Sequence, residues 1–339
     1  MLAQVFHGSF TLFLLTLISF FWQLHAAATC KDKFKVFPSH SACLPRSPQA
    51  KIPGPVDKHV VLAVHNKYRE KAAKKYNANN ILKMIWDDEV AMVAQKWAEN
   101  CFGVHDKNYQ RLIPGRFPIG QNIASSKENI TWETVVQLFY NESKDFHFGG
   151  KNNILEKVGH FTQLTWFDSY ILGCGYAICN GYHFYVCNYA PSGNHKGQLG
   201  FPFSTNGTNT DLRDCKKKIC EGGSKLDPLS CQCLCRKDYY NNDLGFYKSS
   251  ANNCKLTCKE DKKEKFFCGN SGYGEKSCLT LSNMPFDCPY TCRMCPYSDE
   301  ENYREGNATV VILGSSDAAL LRSNLLTIAL LLYLYSYTY

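Results

Sequence analysis

The chain has 339 residues, of which 45% are hydrophobic and 20% charged, enough for one ordinary domain and one or two small modules. Its eighteen cysteines exclude a reduced cytosolic protein and indicate an oxidising compartment. The formal net charge of +8 is modest for this length, and no basic stripe or RNA-binding motif accompanies it, so nucleic acid is excluded as a partner.

The N-terminus has the pattern of a secretory signal peptide over residues 1–28. Its apolar run, residues 10–22, is too short to span a bilayer comfortably, and three consecutive alanines offer a cleavage site. A positively charged stretch before the run is missing, so a membrane anchor is the alternative. Residues 29–55 are rich in Pro and Lys and are predicted to form an extended leader tied down by a disulfide at Cys43.

Three helices are predicted after the leader. Asp57 can cap a helix that runs to about residue 76, and a second helix with one apolar face begins at Asp87. A third helix is predicted over about residues 131–146, and it carries Glu142.

Residues 159–169, with the sequence GHFTQLTWFDS, place His160 at the head of an apolar and aromatic run. Threonine and aromatic content favour a strand. One face of that strand would carry His160, Thr162, Leu164 and Trp166. On pattern alone, His160 is a core histidine at the end of a strand.

The pair Asn180-Gly181 lies between two β-rich runs and predicts a hairpin with a type I′ turn. In this register Cys174 faces Cys187 at a non-hydrogen-bonded pair, where side chains come closest, so the two can form a disulfide. Cys179 has the opposite parity, points to the other face of the sheet and needs a distant partner.

Two segments resemble signatures of the CAP superfamily, which contains cysteine-rich secretory proteins, insect venom allergens and plant pathogenesis-related proteins. They are residues 159–169 and the run FYVCNYAPSGN at residues 184–194. The resemblance covers roughly residues 56–203. It implies an α+β fold, in which a three-layer α-β-α sandwich, the CAP domain, is followed by small disulfide-rich modules.

Further features are implied by the same resemblance. The run HNKYR at residues 65–69 resembles the first-helix motif of the family, which makes His65 a scaffold residue rather than a ligand. The family pattern pairs Cys43 with Cys101, and exclusion then leaves Cys30 for Cys179.

In this family two histidines and two acidic residues line a central cleft. The corresponding positions here are His105, Gln121, Glu142 and His160. Two neutral imidazoles and a carboxylate suit Zn²⁺, so the expected metal ligands are His105, Glu142 and His160. Gln121 replaces the commoner Glu, and because Gln is a weak ligand and no general base, we expect weak zinc binding and doubt hydrolysis.

A cleft-based secreted hydrolase or protease is the alternative to a non-enzymatic binding or signalling protein. A cysteine nucleophile is lacking if all eighteen cysteines are bridged. Ser169 and Asp168 lie near His160 in sequence and leave a Ser-His-Asp triad open, but no nucleophile-elbow motif accompanies them. We therefore expect no catalytic residues.

Residues 204–214 read as a polar linker, and residues 215–296 hold twelve of the cysteines and are basic. The first part of this region resembles an EGF-like module, and its end resembles the sea-anemone potassium-channel toxin fold. A zinc site is the competing interpretation for three closely spaced cysteines, and secretion disfavours it because oxidised cysteines are not thiolate ligands. That triple is Cys231, Cys233 and Cys235.

The C-terminus has the pattern of a lipid-anchor signal. Residues 297–316 read as a solvated stalk, and residues 317–339 as a GPI signal that is removed after attachment at Ser315 or a neighbour. A short transmembrane tail, or plain secretion, is the alternative. Glycosylation acceptors occur at Asn129, Asn141, Asn206 and Asn307.

The sequence thus predicts a GPI-anchored glycoprotein on the outer face of the plasma membrane. Its partners would be an extracellular protein, an ion channel or a lipid, met by the cleft and by the basic cysteine-rich region.

Overall fold

The computed structural model describes residues 30–236, 246–249, 254 and 267–295. A five-stranded sheet covered by helices on both faces forms its main body, which is the α+β three-layer sandwich that the sequence implies. The segments predicted to be the signal peptide, the stalk and the anchor signal, with Asn307 and Ser315, lie outside the described residues. Within the described part of the chain, no helix is both long and apolar enough to cross a bilayer.

The sheet is built around one long hairpin. Its strands are β1 (Ala50–Lys51), β2 (Ile85–Trp86), β3 (Gly120–Ser126), β4 (Ile171–Cys179) and β5 (Tyr182–Ala190). The order is β1-β4-β5-β3, and β2 runs parallel to β4. Asn180 and Gly181 have φ angles of 52° and 79°, as a type I′ turn requires. The turn sets Cys174 opposite Cys187, the register that the sequence predicts.

Six helices belong to the leader and the sandwich. They are α1 (Asp32–Lys35), α2 (Lys58–Tyr76), α3 (Asp88–Ala98), α4 (Asn108–Arg111), α5 (Trp132–Asn141) and α6 (Leu155–Thr165). The side chains of Asp57 and Asp87 accept backbone hydrogen bonds at the starts of α2 and α3. The cap at Asp57 was predicted, whereas Asp87 was expected inside the first turn and instead precedes it. Thr131 caps α5 in the same way, and Glu142 follows the last residue of that helix.

Helix α3 lies directly on one face of the sheet. A side chain at Gly173 or Gly175 would meet the backbone of α3 within 2.3 Å, so only glycine admits this contact. Cys179 lies on this face, in a cluster with α3. Cys174 and Cys187 lie on the opposite face, in a cluster with α2. The parity that the hairpin predicts for the three cysteines is therefore observed.

The strand predicted over residues 159–169 is wrong, because this segment forms α6. The hydroxyls of Thr162 and Thr165 donate to the carbonyls of Val158 and Phe161, four residues earlier, at 2.9 and 2.8 Å. These bonds hold β-favouring residues in a helix whose apolar face is buried. The alternating strand face that would group His160 with Thr162, Leu164 and Trp166 therefore does not form.

Helix α2 holds the sandwich together through buried donors. The Arg69 guanidinium donates to the carbonyls of Leu82, Leu164 and Trp166 at 2.6–3.0 Å. The ring of His65 is fully buried and contacts the Val61 carbonyl and the Tyr189 hydroxyl at 2.8 and 3.0 Å. Burial lowers the pKa of His65 to about 4, against the smaller opposing effect of the Val61 carbonyl.

Two predicted disulfides are wrong. The structure joins Cys30 to Cys43 and Cys101 to Cys179, instead of Cys43 to Cys101 and Cys30 to Cys179. Cys101 follows the end of α3, and Cys179 lies on the sheet face that α3 covers, with its sulfur 3.6 Å from the Ala98 carbonyl. Cys174 and Cys187 are joined across the hairpin.

The leader is folded rather than extended, which corrects the prediction from its composition. Val36 and Phe37 are buried in one cluster with Leu112 of the sandwich and with residues of the C-terminal region. The C-terminal members include Met284 and Phe286 of α7 (Met284–Asp287). The leader turns inward because its apolar side chains complete the small core of the last module.

A second module lies between the sandwich and the last one. It contains β6 (Lys225–Leu226), β7 (Cys233–Arg236) and β8 (Phe246–Ser249), paired in that order. Cys231, Cys233 and Cys235 are bridged to Cys215, Cys220 and Cys254, which rules out a zinc site at the cysteine triple.

The linker predicted at residues 204–214 is bound to the sandwich by backbone hydrogen bonds. The amide of Arg213 donates to the Ile81 carbonyl, and the amide of Lys83 donates to the Arg213 carbonyl, both at 2.9 Å. The linker therefore fixes the second module to the sandwich.

Candidate functional site

A cleft with a volume of about 640 Å³ opens beside the edge strand β3. Its walls come from β3, α6, the loop before α4 and the loop after β5. Ser282 of the last module completes one side. The lining residues that could bind a ligand through a charged group or an imidazole include His105, Glu156, His160, His195 and Lys196.

His160 lies on α6 with one ring nitrogen turned away from solvent. Its Nδ1 lies 2.6 Å from the Glu142 carboxylate, which also accepts the backbone N–H groups of His160 and Phe161 at 2.7 and 3.1 Å. The Phe139 ring stacks on the imidazole with centroids 5.1 Å apart. The ring is thus fixed by one carboxylate and one aromatic face.

His105 reaches the same cleft from the loop after α3. Its Nδ1 lies 2.7 Å from Oε1 of Gln121, whose Nε2 donates to Oδ1 of Asn188 at 3.2 Å. The residue is exposed at the cleft mouth, while its Nδ1 side is turned inward. Burial of that side lowers the pKa of His105, and the charges of Arg111 and His160 add to the effect.

The two histidines line the same cleft, and each is held through its Nδ1 atom by a side-chain oxygen. Because Gln121 Oε1 and a Glu142 carboxylate oxygen can only accept, the Nδ1 of each neutral ring carries the proton. The Nε2 atoms keep their lone pairs, and neither makes a hydrogen bond within the described residues. An imidazole held through its other nitrogen by an oxygen acceptor is the usual arrangement of a zinc-ligating histidine. The donor set therefore fits a divalent ion such as Zn²⁺.

Glu142 was expected to be a metal ligand in the cleft, but it lies behind the His160 ring instead. Both of its carboxylate oxygens are used behind the His160 ring, and it does not line the cleft. The ligand atoms of His105, Glu142 and His160 do not all lie within 4.8 Å of one another. The structure brings the two histidines to one cleft and makes Glu142 the residue that orients one of them.

One compact group of potential ligands occurs elsewhere in the described part of the chain. A nitrogen of His65 and the sulfurs of Cys174 and Cys187 lie within 4.8 Å of one another. The two sulfurs are joined in a disulfide and offer no thiolate. Both nitrogens of His65 already have oxygen partners, so this group does not fit a metal ion.

A serine-protease triad is absent at His160. The Ser169 hydroxyl is buried and donates to the Pro191 carbonyl at 2.6 Å. Asp168 is buried and pairs with Lys225 of the second module at 3.0 Å. Because both side chains have other partners, Ser169 and Asp168 do not form a catalytic triad with His160, although they are close to it in the sequence.

The sequence analysis missed Glu156 as a site residue. Glu156 lines the cleft together with His160, four residues later on the same helix. Assigning a strand to the following residues hid this spacing, whereas a helical period would have placed both side chains on one face.

The described glycosylation acceptors lie at the surface, where a glycan could be accommodated. Asn129, Asn141 and Asn206 are all exposed. Asn141 ends α5, directly before Glu142.

Comparison with known proteins agrees with this architecture. The model of the cysteine-rich secretory protein (CAP) family matches residues 62–189. Cysteine-rich secretory protein 2 of Cavia porcellus is 32% identical over 209 residues, which cover 60% of this chain and 83% of the relative. Cysteine-rich secretory protein 3 of Homo sapiens is 32% identical over 215 residues, which cover 62% of this chain and 82% of the relative.

Among solved structures, that of Na-ASP-1 matches with 26% identity and a TM-score of 0.41, covering 50% of this chain and 47% of that one. The two relatives match over more than four fifths of their own length, and helices α3 to α6 lie within the residues that the family model matches. The chain therefore belongs to the CAP family of cysteine-rich secretory proteins.

Proposed function

We propose that the protein is a non-enzymatic extracellular binding protein whose cleft binds a divalent metal ion weakly through His105 and His160. The observation that carries this proposal is the pair of imidazoles that line one cleft, each held through Nδ1, by Gln121 and by Glu142, with no hydrogen bond from Nε2 among the described residues. Zn²⁺ supplies a positive centre that holds or polarises an oxygen or nitrogen ligand when it is bound there.

Weak binding follows from Gln121. A neutral amide behind His105 raises the basicity of the ring less than a carboxylate does, so one of the two metal–nitrogen bonds is not reinforced. The partly desolvated position of His105 acts in the opposite direction, because it favours the neutral form of the ring, which is the form that binds a metal.

Zinc titration calorimetry on the full mature chain tests the metal site. Replacing His105 and His160 together with alanine should abolish binding, while His59→Ala, at an exposed histidine beside the start of α2, should leave it unchanged. Zinc affinity that does not change when both cleft histidines are removed contradicts the proposal.

We further propose that partners are met at the cell surface by the cleft and by the basic cysteine-rich region. Candidate partners are an extracellular protein, an ion channel or a lipid. The secretory relatives and the eight disulfides among the described residues support an extracellular setting. Proximity labelling on cells that display the mature protein would identify the neighbours.

The anchor proposal rests on the sequence pattern around Ser315. Phosphatidylinositol-specific phospholipase C should release a GPI-anchored protein from intact cells. Continued attachment, with Tyr339 detected in the mature chain, would indicate a transmembrane tail. Protein found free in the medium without the enzyme would indicate plain secretion.

A further inference from the structure

We propose that Glu156 is the carboxylate ligand of the cleft metal, in the role that the family resemblance implies for Glu142. This inference rests on the proposed metal site at His105 and His160. It adds a third protein ligand, which α6 places on the wall of the cleft.

The cleft-facing residues of α6 follow a helical period. They include Glu156, Gly159, His160 and Gln163, at positions i, i+3, i+4 and i+7, and Leu155 precedes them at the start of the helix. Side chains four residues apart lie one above the other on a helix, with their Cβ atoms about 5–6 Å apart. Side chains also lean toward the helix N-terminus, so the His160 ring leans toward the level of Glu156. This i, i+4 spacing is also that of the two metal-binding histidines in a helical HExxH motif.

The carboxylates of Glu142 and Glu156 differ in how many hydrogen bonds they already accept. Glu142 accepts from Nδ1 of His160 and from two backbone N–H groups, so its oxygens are occupied away from the cleft. Glu156 is exposed, lines the cleft, and makes no hydrogen bond or ion pair within the described residues. A carboxylate that already accepts three hydrogen bonds is a poor candidate for recruitment by a metal, whereas an uncommitted one is available.

Recruitment requires Glu156 to rotate. The ligand atoms of Glu156, His105 and His160 do not all lie within 4.8 Å in the present arrangement. Ordering a long exposed side chain costs conformational entropy, which is a second reason for weak metal binding. Gly159 lies between Glu156 and His160, and the Leu155 side chain packs over it, with Cδ1 2.9 Å from where a Cβ would stand.

With Glu156 bound, the metal would have two imidazoles and one carboxylate as protein ligands. With these three protein ligands, a four-coordinate zinc ion would have one position left for water or for a side chain of a partner. Gln121 and Glu142 would then act behind the two histidines by orienting their rings.

The test is zinc calorimetry on the full mature chain with four variants. Glu156→Gln should weaken binding by at least about tenfold, which is the smaller loss typical of removing even an outer partner of a metal ligand. Glu128→Gln, at an exposed carboxylate outside the cleft, is the matched control and should bind as the unaltered protein does. His105→Ala and His160→Ala report on the metal site itself.

A spectroscopic readout separates a ligand from a residue that shapes the site. ¹⁵N NMR of the metal-free protein should show the Nδ1–H tautomer of His160 unchanged by Glu156→Gln and altered by Glu142→Gln, because only Glu142 holds that nitrogen. Titration with Co²⁺ should give a different visible absorption spectrum for Glu156→Gln, since a carboxylate is lost from the ion.

Three results are distinguishable. Weakened zinc binding in Glu156→Gln with an unchanged His160 tautomer supports the inference. Unchanged affinity in Glu156→Gln, with both histidine variants weakened, overturns this inference and leaves the proposed metal site standing. Affinity unchanged in all variants overturns the metal site and the inference together.

Discussion

The Glu142 carboxylate accepts two hydrogen bonds from His160, one from the ring Nδ1 at 2.6 Å and one from the backbone N–H at 2.7 Å. The side chain and the main chain of the histidine are therefore fixed by the same group. Glu142 follows α5 and His160 lies on α6, so this contact ties the cleft to the packing of two helices. The geometry of His160 is consequently set before any ligand arrives, which is preorganisation in a structural sense.

We expect Gln121→Glu to tighten zinc binding by about tenfold, because a carboxylate behind His105 would raise the basicity of its ring. Asn188 can accept the change, since its Nδ2 is buried without a partner and would donate to the new carboxylate after rotation of the amide. Calorimetry measures the affinity, with Gln49→Glu, at an exposed glutamine far from the cleft, as the matched substitution. Equal affinity in Gln121→Glu and the unaltered chain would contradict this account of the weak site.

We expect Arg116→Met to lower the free energy of unfolding by about 3 kcal/mol, as the loss of one partner of a buried ion pair typically does. The guanidinium contacts Asp87 at 2.7 Å, Glu89 at 2.9 Å and Glu221 of the second module at 2.5 Å. Burial alone would raise the pKa of Asp87, but the hydrogen bond and the charge of Arg116 outweigh it and hold this pKa below its usual value.

Chemical denaturation at neutral pH measures the effect of Arg116→Met. Because the folded pKa of Asp87 is lowered, the stabilisation is present above the unfolded pKa and is lost as the pH falls through the folded one. The difference between the variant and the unaltered chain should therefore shrink in strong acid. Lys74→Met, which removes an exposed pair with Glu70, should leave the unfolding midpoint unchanged. An equal effect of the two substitutions would show that the Arg116 cluster adds nothing.

We expect the stability of the protein to fall as the pH decreases from about 6.5 toward 4, partly because of His65. Its folded pKa is about 4 and the usual value is 6.5, so the unfolded chain binds more protons in this interval. The contribution of one such histidine reaches about 3 kcal/mol across the whole shift. His65→Gln should flatten the dependence on pH, whereas His59→Gln, at an exposed position, should not. Urea unfolding at several pH values decides between these outcomes, and parallel curves for the two variants would count against the burial argument.

We expect peptide mapping without reduction to recover the pairs Cys30–Cys43, Cys101–Cys179 and Cys174–Cys187. Replacing both Cys101 and Cys179 with alanine should lower the free energy of unfolding by about 4 kcal/mol, because their bond closes a long loop of the unfolded chain. Replacing Cys30 and Cys43, which close a much shorter loop, should cost less. A peptide that joins Cys43 to Cys101 would restore the pairing that the family pattern implies.

The sequence alone predicted those features that depend on interactions between residues close together in the chain. Asp57 and Asp87 mark helix starts, because a short carboxylate satisfies the free N–H groups there. The Asn180-Gly181 turn fixes the hairpin register, and with it the position of Cys174 opposite Cys187.

Other features depend on partners that are distant in sequence. Thr162 and Thr165 favour a strand when taken alone, and their helical state depends on burial against the rest of the sandwich. The pairing of Cys101 with Cys179 depends on how α3 lies across the sheet, which no cysteine spacing reveals. For the same reason the sequence could bring His105 and His160 to one cleft only through the family resemblance, and it gave no sign that Glu142 would stand behind the ring.

The position of the leader has a consequence for biosynthesis. Val36 and Phe37 are made early, yet they share a cluster with Met284 and Phe286, which leave the ribosome roughly 250 residues later. Until then these side chains have only part of their final environment, and the growing chain exposes an apolar surface inside the secretory pathway. The leader therefore reaches its final environment only when the last module has been made and folded. A chain that stopped after the sandwich would keep Leu112 and the leader uncovered, and we expect it to be retained by chaperones rather than secreted.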